Sequence, residues 1–426
     1  MKKIIKELDE ILYYEKLDNG LVVYMIPNQQ VKNVYVTFTT KYGGVHTEFI
    51  PRNKDKMIKV PPGIAHFLEH KMFEQEDGID PMTFYAERGT DVNAFTSLEN
   101  TTYLFYGSTH LEENLNFLLD FVNSPYFTEG NVEKEKGIIE QEIIMFEDDP
   151  DSFLDDRIRL NTFLKHPFRF SVVGTIKDIN EITKDNLYEC YKTFYHPSNM
   201  FLVVTGNFNP EEVLNIVKLN QSKKEYPPFS KIKIKEYKEP NEVKVQYEER
   251  DLDIEVDKLA FAFKISLSKI KIKPYQRNIY LSLYFDILFS STSSFYERMK
   301  KLNYIDSEIN ISTGYTANHL LTVLICRTKK AKFLIEEIKK EVKEVKIDQE
   351  TFERKKRLLF SSKIFLFENI KLLNHSIINN VILYGGFDVN MIKLIKELKF
   401  EEFEDLISKI DFSNNSALVL NALNKQ

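Results

Sequence analysis

Two cysteines in 426 residues are too few for a disulfide framework, and Cys190 and Cys326 stand far apart with no C-x-x-C company. Both are expected to be buried thiols of a reducing compartment, and neither belongs to a cysteine-type zinc site. The chain also lacks an apolar run approaching the ~18 uncharged residues of a membrane span, so no span is expected. Met1-Lys2-Lys3 has the charge of a signal-peptide start, but Lys6, Glu7, Asp9 and Glu10 follow Ile4-Ile5 at once. No apolar stretch of seven or more develops there, which excludes a secretory signal of ordinary form and makes a cytoplasmic protein the expectation. Positive charge is not in excess either: 58 Lys and Arg against 64 Asp and Glu give a net charge of −6. That balance offers nucleic acid no electrostatic footprint.

Apolar residues make up 43 % of the chain, enough for substantial cores, and its length exceeds what one core ordinarily supports. Two domains are therefore expected, 1–222 and 243–426, joined by a linker at 223–242. Gln221 to Pro228 is polar and carries Pro227-Pro228, and Lys231 to Lys235 alternates like an extended edge. Pro210 to Leu219, capped by Asn209, reads as the last helix of the first domain. Each half shows the same order: two strands, two helices, two strands, then helices and a closing strand. In the first half strands are placed near 21–26, 34–40, 92–97, 101–107 and 200–206. In the second they fall near 243–249, 257–265, 308–315, 319–327 and 416–420. The pattern is that of a duplicated α+β unit.

Within Gly63-Ile-Ala-His-Phe-Leu-Glu-His-Lys-Met-Phe73 two histidines are spaced for metal chemistry. A helix turns about 100° per residue, so His66 and His70 lie on one side, a turn apart, and can aim two imidazoles at one ion. Glu69 projects from the same turn, within reach of a water there. Pro61-Pro62-Gly63 suits a helix start, and Ile64, Phe67, Leu68 and Phe73 give it something to bury. H-x-x-E-H in this order is the inverzincin signature.

A catalytic zinc needs three protein ligands and one open position. The candidate source of a carboxylate is the helical stretch Val132 to Phe146, with Ile138, Ile139, Ile143, Met145 and Phe146 expected as its core face. Glu135 and Glu142 are two turns apart on one side of it. On composition alone such a Glu/Lys-rich run is better explained by a solvated surface, and the third ligand stays open.

H-x-x-E-H, seventy-odd residues, then Glu135-Lys-Gly-Ile-Ile-Glu-Gln-Glu142 resembles the insulinase/pitrilysin family of zinc metallopeptidases. Further likenesses are Leu21 to Tyr24 after Asn19-Gly20, Asn93-Ala-Phe-Thr-Ser97 before Thr101-Thr-Tyr103, and His166-Pro167 with Gly174-Thr175. Tyr195-His-Pro-Ser-Asn-Met200 running into Val203-Val-Thr-Gly206 completes them. The resemblance implies one Zn2+ on His66, His70 and Glu142, with Glu135 orienting the site and Glu69 as catalytic base. It implies that Asn93, Ala94 and Phe95 receive an extended peptide by strand addition. The implied fold is two similar domains, each a mainly antiparallel sheet with helices on one face, forming half of a clam-shell chamber. The implied activity is endopeptidase action on short or unfolded peptides. Within the family the likeness is to bacterial processing-type peptidases that occur in pairs.

One departure matters. Self-sufficient relatives carry an arginine followed seven residues later by a tyrosine in the second domain, to hold the substrate carbonyl. Aligned on Met299, that pair becomes Lys300 and Ser307; counting seven from Arg298 reaches Ile305, which leaves only a shifted Arg298/Tyr304 pair. A homologous zinc-free subunit supplying Arg and Tyr is therefore the expected partner, with a homodimer as second choice. A non-catalytic zinc-binding subunit of a peptide-handling or maturation complex is the alternative. His46, His110, His319 and His375 have no metal-ligand company and are expected to be structural or surface residues.

Overall fold

The computed structural model describes residues 1–52 and 54–423. In chain order the first stretch contains β1 (Lys2–Ile5), β2 (Glu10–Lys16), β3 (Val22–Pro27), β4 (Val34–Thr40), β5 (Glu48–Ile50), β6 (Ile58–Lys59), α1 (Ile64–Lys71) and α2 (Pro81–Ala86). It continues with β7 (Asp91–Thr96), β8 (Thr101–Gly107), α3 (Leu111–Phe121), α4 (Glu129–Asp148), α5 (Pro150–Thr162), α6 (Ile176–Asn180), α7 (Lys184–Phe194), β9 (Met200–Gly206) and α8 (Pro210–Ser222). After β10 (Lys233–Ile234) come β11 (Tyr247–Leu252), β12 (Lys258–Ser266), α9 (Pro274–Phe289), α10 (Ser294–Lys301), β13 (Asn310–Tyr315) and β14 (His319–Arg327). The chain closes with α11 (Ala331–Glu344), α12 (Gln349–Phe365), α13 (Ile370–Tyr384), α14 (Met391–Lys396), α15 (Phe400–Ser408) and β15 (Asn415–Ala422).

The duplication is explicit in the sheets. Besides a small β10-β5-β6 sheet there are two large ones, of order β1-β2-β3-β9-β4-β8-β7 and β11-β15-β12-β14-β13. Beyond the added β1–β2 hairpin the two orders match strand for strand. In each the first strand of the repeated unit pairs parallel with the last (β3 with β9, β11 with β15), and every other pairing is antiparallel. A last strand between the first two keeps the connections uncrossed. Central β4 and β9 are buried at every residue, as strands covered on both faces must be.

Compactness divides the chain differently from the single cut expected near 223–242. One unit comprises 1–144, 170–236 and 363–391; the other comprises 145–169, 237–362 and 392–426. Each sheet therefore receives one helix from the opposite half of the sequence. In the first unit α13 packs on β9 and β4. Its Asn374, with no exposed surface, accepts from Thr37 Oγ1 at 2.7 Å and donates to the carbonyls of Tyr35 and Val203 at 3.2 Å each. In the second unit α5 packs on β15 and β12. Its Arg157 grips Glu248 of β11 bidentately at 2.7 and 2.9 Å, with Asn161 adding a third bond at 2.6 Å. Those partners hold the Glu248 carboxyl down at about 2 against the cost of burying it. The same unit encloses Lys264 (0 % exposed), whose ammonium meets Glu239 at 2.6 Å.

Asn374→Ala tests how firmly α13 is seated. It strands the buried Thr37 hydroxyl without its acceptor, a cost of about 1–3 kcal/mol. Urea titration should show that loss in the transition carrying the first unit; a change within ~0.5 kcal/mol would mean the helix is held by its apolar side alone.

Candidate metal centre

The site begins with the backbone at Gly63, the residue before α1. Its φ of 85° lies in the left-handed region, and a Cβ there would stand 2.5 Å from the carbonyl oxygen of Val173. At Gly174, φ 77°, a Cβ would stand 2.7 Å from the Pro62 carbonyl oxygen. Two glycines thus let the 173–174 loop touch the start of α1 and fix its direction. Ile64, Phe67 and Leu68 turn into the core, which leaves His66, Glu69 and His70 on the remaining face.

On α4 only Val132, Ile139 and Ile143 of the apolar residues are buried; Ile138 and Met145 are exposed. The expected core face is therefore narrower than the sequence suggested, because Ile138 and Met145 lie about 100–120° round the helix from Ile139. That placement still turns Glu135 and Glu142 towards α1. Oε2 of Glu142 lies 3.6 Å from His66 Nε2 and 3.5 Å from His70 Nε2, and the two imidazole centroids are 4.5 Å apart. These separations are too long for hydrogen bonds. They are close to the roughly 3.3–3.4 Å that separates tetrahedral donors at ~2.0–2.1 Å from one zinc. His66, His70 and Glu142 are the one such His/Cys/Asp/Glu group among the described residues, their donor atoms all within 4.8 Å. Two imidazole nitrogens and a carboxylate oxygen suit zinc by type as well as by spacing.

Around this trio the carboxylates are individually tied. Glu135 Oε1 sits 3.0 Å from His70 Nδ1, the side of the ring away from Glu142. Glu69 is buried (7 % exposed) and its Oε2 accepts from Thr96 Oγ1 at 2.5 Å. Burial pushes the Glu69 carboxyl up, against the pull of the Thr96 hydroxyl and of both imidazoles. Glu142 is lowered, first by its contact with His66. Burial raises Glu135, but His70 and Lys71 outweigh it and the net shift is down. Burial lowers His70, yet Glu135 and its neighbours carry the net shift up.

Thr96 comes from β7, the edge of its sheet. Ala94 shares the face of Thr96, while Asn93 and Phe95 point to the other. Asn93 Oδ1 accepts from the amide of Ala94 at 2.8 Å, and Phe95 packs against the ring of His375 at 5.4 Å. The structure thus brings His66, Glu69, His70, Glu135 and Glu142 together and sets the Asn93–Phe95 edge strand beside Glu69 through Thr96.

Sequence reasoning passed over Thr96 as a contact of Glu69 and Lys71 altogether. Lys71 had a visible signal: it continues the stripe of Ile64, Phe67 and Leu68 at i+7, where a charge is out of place. In the expected stretch of the second unit the guanidinium of Arg298 is already paired. Arg298 binds Glu341 at 2.7 Å and Glu337 at 3.6 Å, and Tyr304 packs on Phe333 at 4.7 Å. Lys300 lies over the Tyr296 ring, and Ser307 Oγ accepts from the Arg327 amide at 3.0 Å. His319 and His46 are buried and His110 is half-exposed. Both cysteines are free thiols.

A duplicated α+β fold with two histidines and a glutamate converging on one point is the architecture of an inverzincin-type metal protein. Residues 59–176 match Insulinase (Peptidase family M16), and residues 181–359 match the Peptidase M16 inactive domain. "Uncharacterized zinc protease YmfH" of Bacillus subtilis is 42 % identical over 315 residues, covering 74 % of this chain and 73 % of that protein. "Probable mitochondrial-processing peptidase subunit beta, mitochondrial" of Arabidopsis thaliana is 30 % identical over 165 residues, 37 % of this chain and 30 % of that one. A solved structure from Alicyclobacillus acidocaldarius, described as M16-like, superimposes with a TM-score of 0.92 at 27 % identity, over 98 % of this chain and 100 % of that one. The chain belongs to the insulinase (M16) family. No helix among the described residues is long and apolar enough to cross a membrane.

Proposed function

We propose that this protein is a zinc-dependent endopeptidase that hydrolyses short or unfolded peptides and works with a related subunit. The observation that carries this reading is the convergence of His66 Nε2, His70 Nε2 and Glu142 Oε2 beside the anchored carboxylate of Glu69. His66, His70 and Glu142 would hold the ion. Zinc, when bound, supplies Lewis acidity, bringing the pKa of water from 15.7 towards ~7 and polarising a carbonyl.

The remaining work falls to the chain's own side chains. Glu69 accepts the proton of the attacking water at its free oxygen and returns it to the leaving amine. Thr96 keeps the other oxygen of Glu69 occupied, so the carboxylate cannot turn away. The β7 edge offers unpaired backbone groups to an extended peptide, with Ala94 on the face that carries Thr96 and Glu69. Selection of extended chains over folded proteins follows from that docking mode. The two free, buried thiols support a reducing, cytoplasmic setting.

Incubation of the zinc-loaded protein and its partner subunit with unstructured peptides should yield new termini in mass spectra, and a chelator should stop their appearance. Glu142→Gln should weaken zinc binding by more than the ~10–100-fold that loss of an outer partner costs. Unchanged zinc affinity in that variant would remove Glu142 from the site. Stoichiometric zinc with no new termini, partner included, would favour the alternative, a zinc-binding subunit of a peptide-handling or maturation complex.

A further inference from the structure

Lys71 follows the second histidine directly and has no exposed surface (0 %). Proteins keep an ammonium in that condition only where it is paired. Its Nζ contacts the carboxylate of Glu74, which opens to solvent, and reaches Oε2 of Glu135 at 3.5 Å. The other oxygen of Glu135 is the one 3.0 Å from His70 Nδ1, and His70 Nε2 faces Glu142. A continuous path therefore runs from a buried cation through one carboxylate to one of the two imidazoles.

We propose that Lys71 is a positioning residue of the metal centre, holding Glu135 so that His70 presents Nε2 to the ion. The inference rests on the zinc reading above. A glutamate's terminal torsion is broad, so one contact at Oε1 leaves the carboxylate plane loosely set. The Lys71 ammonium, 3.5 Å from Oε2, adds an ion-pair restraint on that plane and so on the line along which Nδ1–H is received. Receiving the proton at Nδ1 leaves the lone pair on Nε2, where a metal needs it. The ammonium also gives the carboxylate a reason to remain at this spot when no metal is present. In helix α1 the residue that would ordinarily be apolar at this point of the stripe thus serves the site.

The test uses the full folded chain, with zinc affinity read by chelator competition and ligand geometry by the visible absorption of bound Co2+. Lys71→Met should weaken zinc about 10-fold and alter the Co2+ bands. Lys71→Arg, which restores a cation, should return affinity towards wild type. Combined with Glu135→Gln, Lys71→Met should add nothing further, because both act through one carboxylate. A simple anchoring role for Lys71 would instead multiply the two losses, and that result overturns the proposal. So does a folded Lys71→Met that takes zinc as wild type does. Should circular dichroism show that methionine is not accepted, Lys71→Gln carries the same cycle. Failure of the zinc reading itself is separable: wild-type protein would then bind no zinc, or bind it equally after Glu142→Gln.

Discussion

Glu69→Gln is expected to retain zinc and to lose peptide hydrolysis by about 10²–10⁴-fold, the usual worth of a positioned general base. The substitution preserves shape. Gln keeps an oxygen to accept from Thr96 Oγ1, so the helix and the hydroxyl contact survive. What it cannot do is take a proton. Zinc retention follows because the converging donors are His66, His70 and Glu142, and Glu69 is not among them. Metal content by atomic emission and cleavage of a fluorogenic peptide read the two properties separately. An active Glu69→Gln enzyme would leave the site without its assigned base. A variant that lost both metal and activity would mean that Glu69 helps to hold the ion.

His66, Glu69 and His70 were legible in the sequence because one helical turn suffices to relate them, and α1 forms where the Pro-Pro-Gly start and its apolar stripe place it. The third donor was not legible from composition. Glu133, Glu135, Glu140, Glu142 and Glu147 all lie on α4, and only the packing of Ile139 and Ile143 selects which of them turn towards the histidines. Resemblance to a family supplied that choice before any geometry could. Counting Ile138 and Met145 as core overlooked their angle on the helix; both face outwards.

The sheets were readable for a related reason. The short, near-continuously buried apolar runs of β4, β8, β9, β12 and β14 show locally in the sequence, whereas the seating of α5 and α13 depends on which sheet an amphipathic face meets. Periodicity reports that a helix has something to bury and is silent about where. Hence each half of the sequence lends a helix to the other's sheet, and a cut near 223–242 could not reveal it. The β1–β2 hairpin escaped because Lys2-Lys3 and the acidic residues after Ile5 were informative chiefly about targeting. The terminal helices α14 and α15, short and separated by three residues, also went unassigned.

Alone, this protein is expected to be a poor peptidase, and a homologous subunit that keeps an arginine seven residues before a tyrosine should raise kcat/KM by about 10²–10³-fold. The physical reason lies in α10 and the turn after it. A substrate oxyanion needs donors with nothing else to hold, and the guanidinium of Arg298 is committed to Glu341 and Glu337. Lys300 rests on Tyr296, Ser307 is engaged with the Arg327 amide, and Tyr304 is packed on Phe333. Arg298→Ala should therefore leave the turnover of the pair unchanged, while replacing the partner's arginine or tyrosine should return the mixture to the rate of the single chain. Titrating the partner into a fixed amount of this protein, with sedimentation velocity alongside, links the gain in rate to a one-to-one complex. Full activity of the isolated chain at every concentration would show that the missing donors lie elsewhere in this molecule. Activity rising with the square of this chain's own concentration would point instead to two copies of it.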